Sequence, residues 1–115
     1  MKTNFLKLAK LAAKISDDKK CQDILLLNVR KLTAMADYFL IATAGSSPQM
    51  NAVVTTIEKD FKEAGAPPPT HREGRGLSTW AVLDYGGLII HIMNEDSRRF
   101  YLLEKIWSEA KKIAI

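Results

Sequence analysis

The first apolar positions, Phe5, Leu8, Ala12 and Ile15, recur on one helical face with Leu11 beside them, while Lys7, Lys10 and Lys14 fall on another. That spacing predicts an amphipathic helix over roughly 3–16. Asp23 to Val29 is a short aliphatic run and reads as a buried strand. Asp37 to Thr43 reads as a second. Ala44-Gly45-Ser46-Ser47-Pro48 then opens a helix, with Ser47 as its cap and Pro48 at its first position, where a missing N–H costs nothing. Met50, Val53, Val54, Ile57, Phe61 and Ala64 form the apolar stripe of that helix, and Gly65 ends it. Pro67, Pro68 and Pro69 force extended backbone, because each fixes φ and lacks a donor. The polar stretch from His71 to Gly76 reads as a loop. Residues 78–94 read as a hairpin around Gly86-Gly87. A last helix is predicted from about Ser97 to Lys112, capped by Asp96 or Ser97, with Phe100, Leu103, Trp107 and Ala110 as its inner stripe. The strand at 37–43, the helix at 48–64 and the strand at 78–84 could form a crossover unit, right-handed if the strands are parallel. The fold class that follows is α/β: a single domain with a mixed sheet and packed helices.

The hairpin carries the most information. A two-residue turn pairs Tyr85 with Leu88, Val82 with His91 and Trp80 with Met93. Side chains alternate across a strand, so two faces separate. Ala81, Leu83, Tyr85, Leu88, Ile90 and Ile92 form an almost wholly apolar face that should pack on helices. Trp80, Val82, Asp84, Ile89, His91 and Met93 form the other, with Asp84 and His91 diagonal neighbours within hydrogen-bonding reach. That second face is either another core layer or a protein-binding surface. Interface cores favour Trp, Tyr and Met with a few oriented polar groups.

Composition narrows the class. With 115 residues, 47% of them hydrophobic and 26% charged, the chain has the size and balance of one globular domain. No apolar run approaches the ~20 residues of a membrane span, and the N-terminal stretch has no apolar signal core. A lone Cys21 excludes an internal disulfide framework, and two distant histidines leave no zinc cluster. The expected setting is the cytoplasm, with no membrane partner. The net charge of +4 invites a nucleic-acid reading. Its distribution tempers that: residues 1–36 carry net +5, residues 37–97 net −4 and residues 98–115 net +3. The ends are basic and the middle is acidic.

Catalysis finds little support. Gly45-Ser46-Ser47 at a strand-to-helix junction could hold an anion and is similar to the Gly-Ser entry of nucleotidyltransferases. Those enzymes also need two carboxylates one residue apart on a strand to hold Mg²⁺, and Asp84 has no such partner. Cys21 has no histidine placed beside it by the sequence, and the Asp84–His91 pair has no nucleophilic third member. No catalytic residue, metal ligand or cofactor is expected.

The ordered set of segments nonetheless resembles a known family. These are Gln22-Asp23-Ile24; Asp37-Tyr38-Phe39-Leu40-Ile41-Ala42-Thr43 with Gly45-Ser46-Ser47; Trp80-Ala81-Val82-Leu83-Asp84-Tyr85-Gly86; His91-Ile92-Met93; and Ser97-Arg98-Arg99-Phe100-Tyr101 with Leu103-Glu104-Lys105-Ile106-Trp107. Together they resemble the ribosomal silencing factor family, also called Iojap-like, over nearly the whole chain. The triproline before His71 and the Tyr85-Gly86-Gly87 turn depart from its pattern. The resemblance implies one domain over 1–115, like a nucleotidyltransferase without its catalytic carboxylates, and a homodimer when free. It also implies binding to the fourteenth large-subunit ribosomal protein on the large ribosomal subunit. There the protein would block the small subunit and lower translation when nutrients are scarce. The acidic middle fits a basic ribosomal protein, and the basic ends could make peripheral rRNA contact. On this reading Trp80, Asp84, His91, Met93 and Tyr101 form the partner-binding surface, with Trp80 as anchor. The competing readings are an active nucleotidyltransferase-like enzyme and a direct RNA-binding module. The missing carboxylate pair counts against the first, and the acidic centre counts against the second.

Overall fold

The computed structural model describes residues 3–74 and 79–115. The first helix, α1 (Phe5–Asp18), is capped by Asn4, whose side chain accepts from the Lys7 N–H at 3.1 Å. Its apolar stripe buries Leu8, Ala12 and Ile15 as the spacing predicts. Strands β1 (Gln22–Asn28) and β2 (Tyr38–Thr43) pair antiparallel. The second long helix, α2 (Ser47–Glu63), starts one residue early. Ser46, not Ser47, is its cap, accepting from the Gln49 N–H at 3.2 Å. Its buried residues are Met50, Val53, Val54, Ile57 and Phe61.

Three short strands follow, β3 (His71–Glu73), β4 (Trp80–Asp84) and β5 (Leu88–Met93). The predicted loop at 71–76 therefore begins as a strand. His71, Arg72 and Glu73 pair with Asp84, Leu83 and Val82, on a sheet edge where every side chain is exposed. Gly76 and Ser78, which ended that predicted loop and began the predicted hairpin, lie outside the described residues. The β4–β5 hairpin has the expected register, with Trp80 opposite Met93 and Val82 opposite His91.

The sheet order is β3-β4-β5-β2-β1, with a further strand, β6 (Lys111–Lys112), on the far edge. The crossover from β2 through α2 thus ends on β5, which runs parallel to β2, and not on the strand at 80–84. Burial explains the choice. All six residues of β2 are buried, the mark of a central strand covered on both faces. The aliphatic β5, with five of its six residues buried, fits the place beside it better than β4, whose side chains alternate between buried and half-buried.

Two cores lie on opposite sides of the sheet. One gathers α1, α2 and the face bearing Ala81, Leu83, Tyr85, Leu88, Ile90 and Ile92. The other holds Leu27, Val29, Phe39, Ile41, Ile89 and Met93 beneath Leu103, Trp107 and Ala110. The covering segment of that second core is not the continuous helix predicted over 97–112. It is α3 (Glu95–Tyr101), then α4 (Leu103–Ile106), then β6. Leu102 adopts the left-handed conformation, φ 48° and ψ 52°, and breaks the helix. The cap of α3 is Asn94, accepting from the Ser97 N–H at 2.8 Å, in place of the predicted Asp96 or Ser97.

Candidate protein-binding face

β4 and β5 present Trp80, Val82, Asp84, Ile89, His91 and Met93 on the sheet face opposite α1 and α2. Trp80 begins β4, and its Nε1–H donates to Nδ1 of His91 at 3.1 Å. His91 therefore keeps Nδ1 unprotonated. Burial pushes its pKa down to about 4, with Asp84 opposing the shift more weakly. The edge-to-face contact of Phe39 with His91, centroids 5.4 Å apart, closes the ring from below. The diagonal Asp84–His91 hydrogen bond expected from the register does not form. Asp84 instead accepts from the Gly86 N–H at 2.8 Å, closing the turn, and His91 accepts the indole N–H at Nδ1.

Trp80 also lies against Tyr101, with ring centroids 4.7 Å apart, and Tyr101 meets Phe100 edge-on at 5.0 Å. These rings form an aromatic ledge that runs from the sheet onto α3. Phe100 is 79% exposed, Ile106 67%, Tyr101 47% and Leu102 39%. A contiguous apolar surface of this kind is the usual mark of an interaction site. Of the five residues expected to bind a partner, Trp80, Asp84, His91 and Tyr101 keep part of their surface in solvent. Met93 does not. It is completely buried, packed under the face, and can only support it.

Sequence reasoning missed Phe100, Leu102 and Ile106 as surface residues. Phe100 was expected on the inner stripe. The signal was the run Phe100-Tyr101-Leu102-Leu103, since four successive helical positions cannot all face one core. It also missed Arg98. This side chain is only 7% exposed, yet its guanidinium donates to Thr43 Oγ1 at 2.9 Å and to Glu104 Oε2 at 2.8 Å. It ties α3 and α4 to the end of β2 and holds the ledge in position.

The other candidate chemistry is used up internally. At Gly45-Ser46-Ser47 the Gly45 N–H donates to the Gln49 side chain, and the Gln49 amide donates to the Lys19 carbonyl at 2.8 Å. Among the described residues no group of three or more His, Cys, Asp or Glu could hold a metal ion. Cys21 is buried, and desolvation pushes its thiol up to about 11. No helix among the described residues is long and apolar enough to cross a membrane.

The family model described as "Ribosomal silencing factor during starvation" matches residues 2–115. The "Ribosomal silencing factor RsfS" of Bacillus subtilis is 35% identical over 103 residues, covering 90% of this chain and 86% of its own length. The protein of the same name from Halalkalibacterium halodurans is 32% identical over 108 residues, covering 94% and 92%. A crystal structure of a Chromobacterium violaceum protein superposes with a TM-score of 0.86 at 28% identity, covering 98% of this chain and 92% of that one.

Proposed function

The chain belongs to the ribosomal silencing factor family, regulatory proteins rather than enzymes, and from that premise we propose how it silences. It binds the large ribosomal subunit through the fourteenth ribosomal protein and sterically keeps the small subunit from joining, repressing translation under nutrient limitation. It acts in the cytoplasm. Free of the ribosome it is a homodimer, and the basic ends make peripheral contact with rRNA. The observation that carries this reading is the ledge of Trp80, Tyr101 and Phe100. It is aromatic, tied to the sheet by the Trp80–His91 hydrogen bond, and among the described residues its Tyr101 and Phe100 are exposed. Rigid aromatics at an exposed centre are what binding hot spots are made of. The acidic middle of the chain, net −4 over residues 37–97, complements a basic partner.

Two measurements test the proposal. Purified subunits mixed with the protein should give fewer joined ribosomes on a sucrose gradient than subunits alone at equal input. Tyr101→Ala and Trp80→Ala should each weaken binding to the isolated ribosomal protein by about thirtyfold, the effect of losing ~2 kcal/mol at an interface centre. Tyr101 is the cleaner probe because it is half-exposed and should barely shift the melting temperature. Trp80 is partly buried and hydrogen-bonded, so its loss also lowers stability. Normal binding by a folded Tyr101→Ala variant would move the interface elsewhere.

A further inference from the structure

The two basic ends of the chain, separate in sequence, meet at one corner of the sheet. β6 pairs with the end of β1, Lys112 opposite Leu27 and Lys111 opposite Asn28, and the Ile113 N–H donates to the Leu26 carbonyl at 2.9 Å. The chain then turns after β1. The Asn28 side chain accepts from the Arg30 N–H at 3.1 Å, and Leu32 and Thr33 donate back to the Val29 carbonyl at 3.0 and 3.1 Å. That turn holds Arg30 and Lys31 beside Lys111. The result is an open cleft of about 800 Å³ lined by Asn28, Arg30, Lys31, Leu32, Glu109 and Lys111. Three cations face one acid there, with Lys112 next along the strand. Arg30, Lys31 and Lys111 are exposed, and none is held in an ion pair with a described residue.

We infer that this cleft docks the phosphate backbone of RNA, an inference that rests on the ribosome-binding reading above. Lysines on an edge strand alone would be explained as protection against edge-to-edge pairing. Arg30 and Lys31 stand on a different loop, off the strand, and that explanation does not reach them. An unpaired cluster of both cation types around a concavity is the footprint of a phosphate-binding surface. A ribosomal subunit presents chiefly RNA phosphates to any basic surface brought against it. The cleft sits at the corner diagonal to the ledge: Asn28 ends β1, whereas Trp80 begins β4, three strands away. The two surfaces can therefore be altered separately.

The test is the salt dependence of binding to purified large ribosomal subunits. Each phosphate contact contributes roughly 0.7–0.9 to the slope of log affinity on log salt. The triple variant Arg30→Ala/Lys31→Ala/Lys111→Ala should bind with a slope shallower by about 2–3. Between 50 and 200 mM KCl the wild type should then lose roughly 20–40-fold more affinity than the variant. Lys7→Ala/Lys10→Ala/Lys14→Ala removes the same charge from α1 and should keep the wild-type slope. All six side chains are exposed, and an unchanged melting temperature confirms that both variants fold. An unaltered slope in the first variant, or an equal loss in the second, overturns the inference. So does an equal loss of affinity for the isolated ribosomal protein, which would make the cleft a protein contact. If the wild type fails to bind that protein yet keeps a steep, cleft-dependent slope on subunits, the proposed protein partner falls and the cleft stands.

Discussion

Replacing Arg98 with methionine keeps most of the side chain's bulk and removes its charge. The guanidinium is buried, and its loss leaves Thr43 Oγ1 and Glu104 Oε2 without the donors now 2.9 and 2.8 Å away. Glu104 is the more costly of the two. Its Oε1 already lies buried with no hydrogen-bond partner, so the carboxylate depends on Arg98 for compensation. Breaking a buried ion pair by removing one member costs about 3–5 kcal/mol. Here the Glu104 side chain is 32% exposed, so water can recover part of that. The expected loss is about 2–3 kcal/mol, the range for hydrogen bonds to charged groups plus a partly stranded anion. The double variant Arg98→Met/Glu104→Leu removes the stranded charge and should regain about 1–2 kcal/mol relative to the sum of the single changes. Urea unfolding of the four proteins, with equal m-values, gives the coupling directly. An Arg98→Met variant within ~0.5 kcal/mol of wild type, or strictly additive single changes, would refute the clamp. Because the clamp holds α3 and α4, the same variant should also weaken partner binding while Phe100, Tyr101 and Leu102 remain in place chemically.

Three further outcomes follow from local geometry. His91 has its pKa depressed to about 4, so its contribution to stability is complete above pH ~6.5 and is lost as pH falls toward 4; the unfolding free energy measured in urea should drop over that window by up to ~3 kcal/mol, and His91→Phe should remove the slope between pH 7 and 5. Both long helices end in the same way, the residue after the cap donating to the carbonyl three back and the next to the carbonyl five back, but α2 uses Gly65 at φ 86° where α1 uses Lys20 at φ 68°. Lys20→Gly should therefore raise stability by about 0.5–1 kcal/mol in thermal unfolding, since the exposed lysine carries the left-handed strain that a glycine avoids. Gly87→Ala would drive its methyl into the Phe5 ring and should cost about 1–3 kcal/mol, with most of that loss relieved in a Gly87→Ala/Phe5→Ala background where the cavity is already present.

The long helices and the hairpin were legible because their signals are local. A 3.6-residue stripe in α2 and strict alternation in β4 need no knowledge of distant partners, and both faces of the hairpin came out as the register implied. Neighbour relations in the sheet were not local. Nothing between Tyr38 and Thr43 tells which later strand will lie beside it, and the choice of Leu88–Met93 is settled by burial on both faces. β3 was missed for a related reason. His71-Arg72-Glu73 has no buried position, so it carries no hydrophobic signal and becomes a strand only through backbone pairing with β4.

The C-terminal segment joins both problems, and the candidate site arises there. Phe100, Leu103, Trp107 and Ala110 have helical spacing, and three of them do pack on the sheet. The fourth fails because one left-handed residue lies between it and the rest. A reversal at Leu102 changes the phase of the helix, so positions before it no longer share a face with those after it. No glycine or proline announces the break. Leu102 is held there by long-range ties: Arg98 to Thr43 on one side, and the pairing of Lys111 and Lys112 with β1 on the other. A bulky residue stays in a strained conformation only where its surroundings over-determine it. Were the helix to run on unbroken, Phe100 would turn inward as its spacing dictates. The break turns Phe100 outward beside Tyr101 and Trp80, so the strain and the exposed ledge have the same cause.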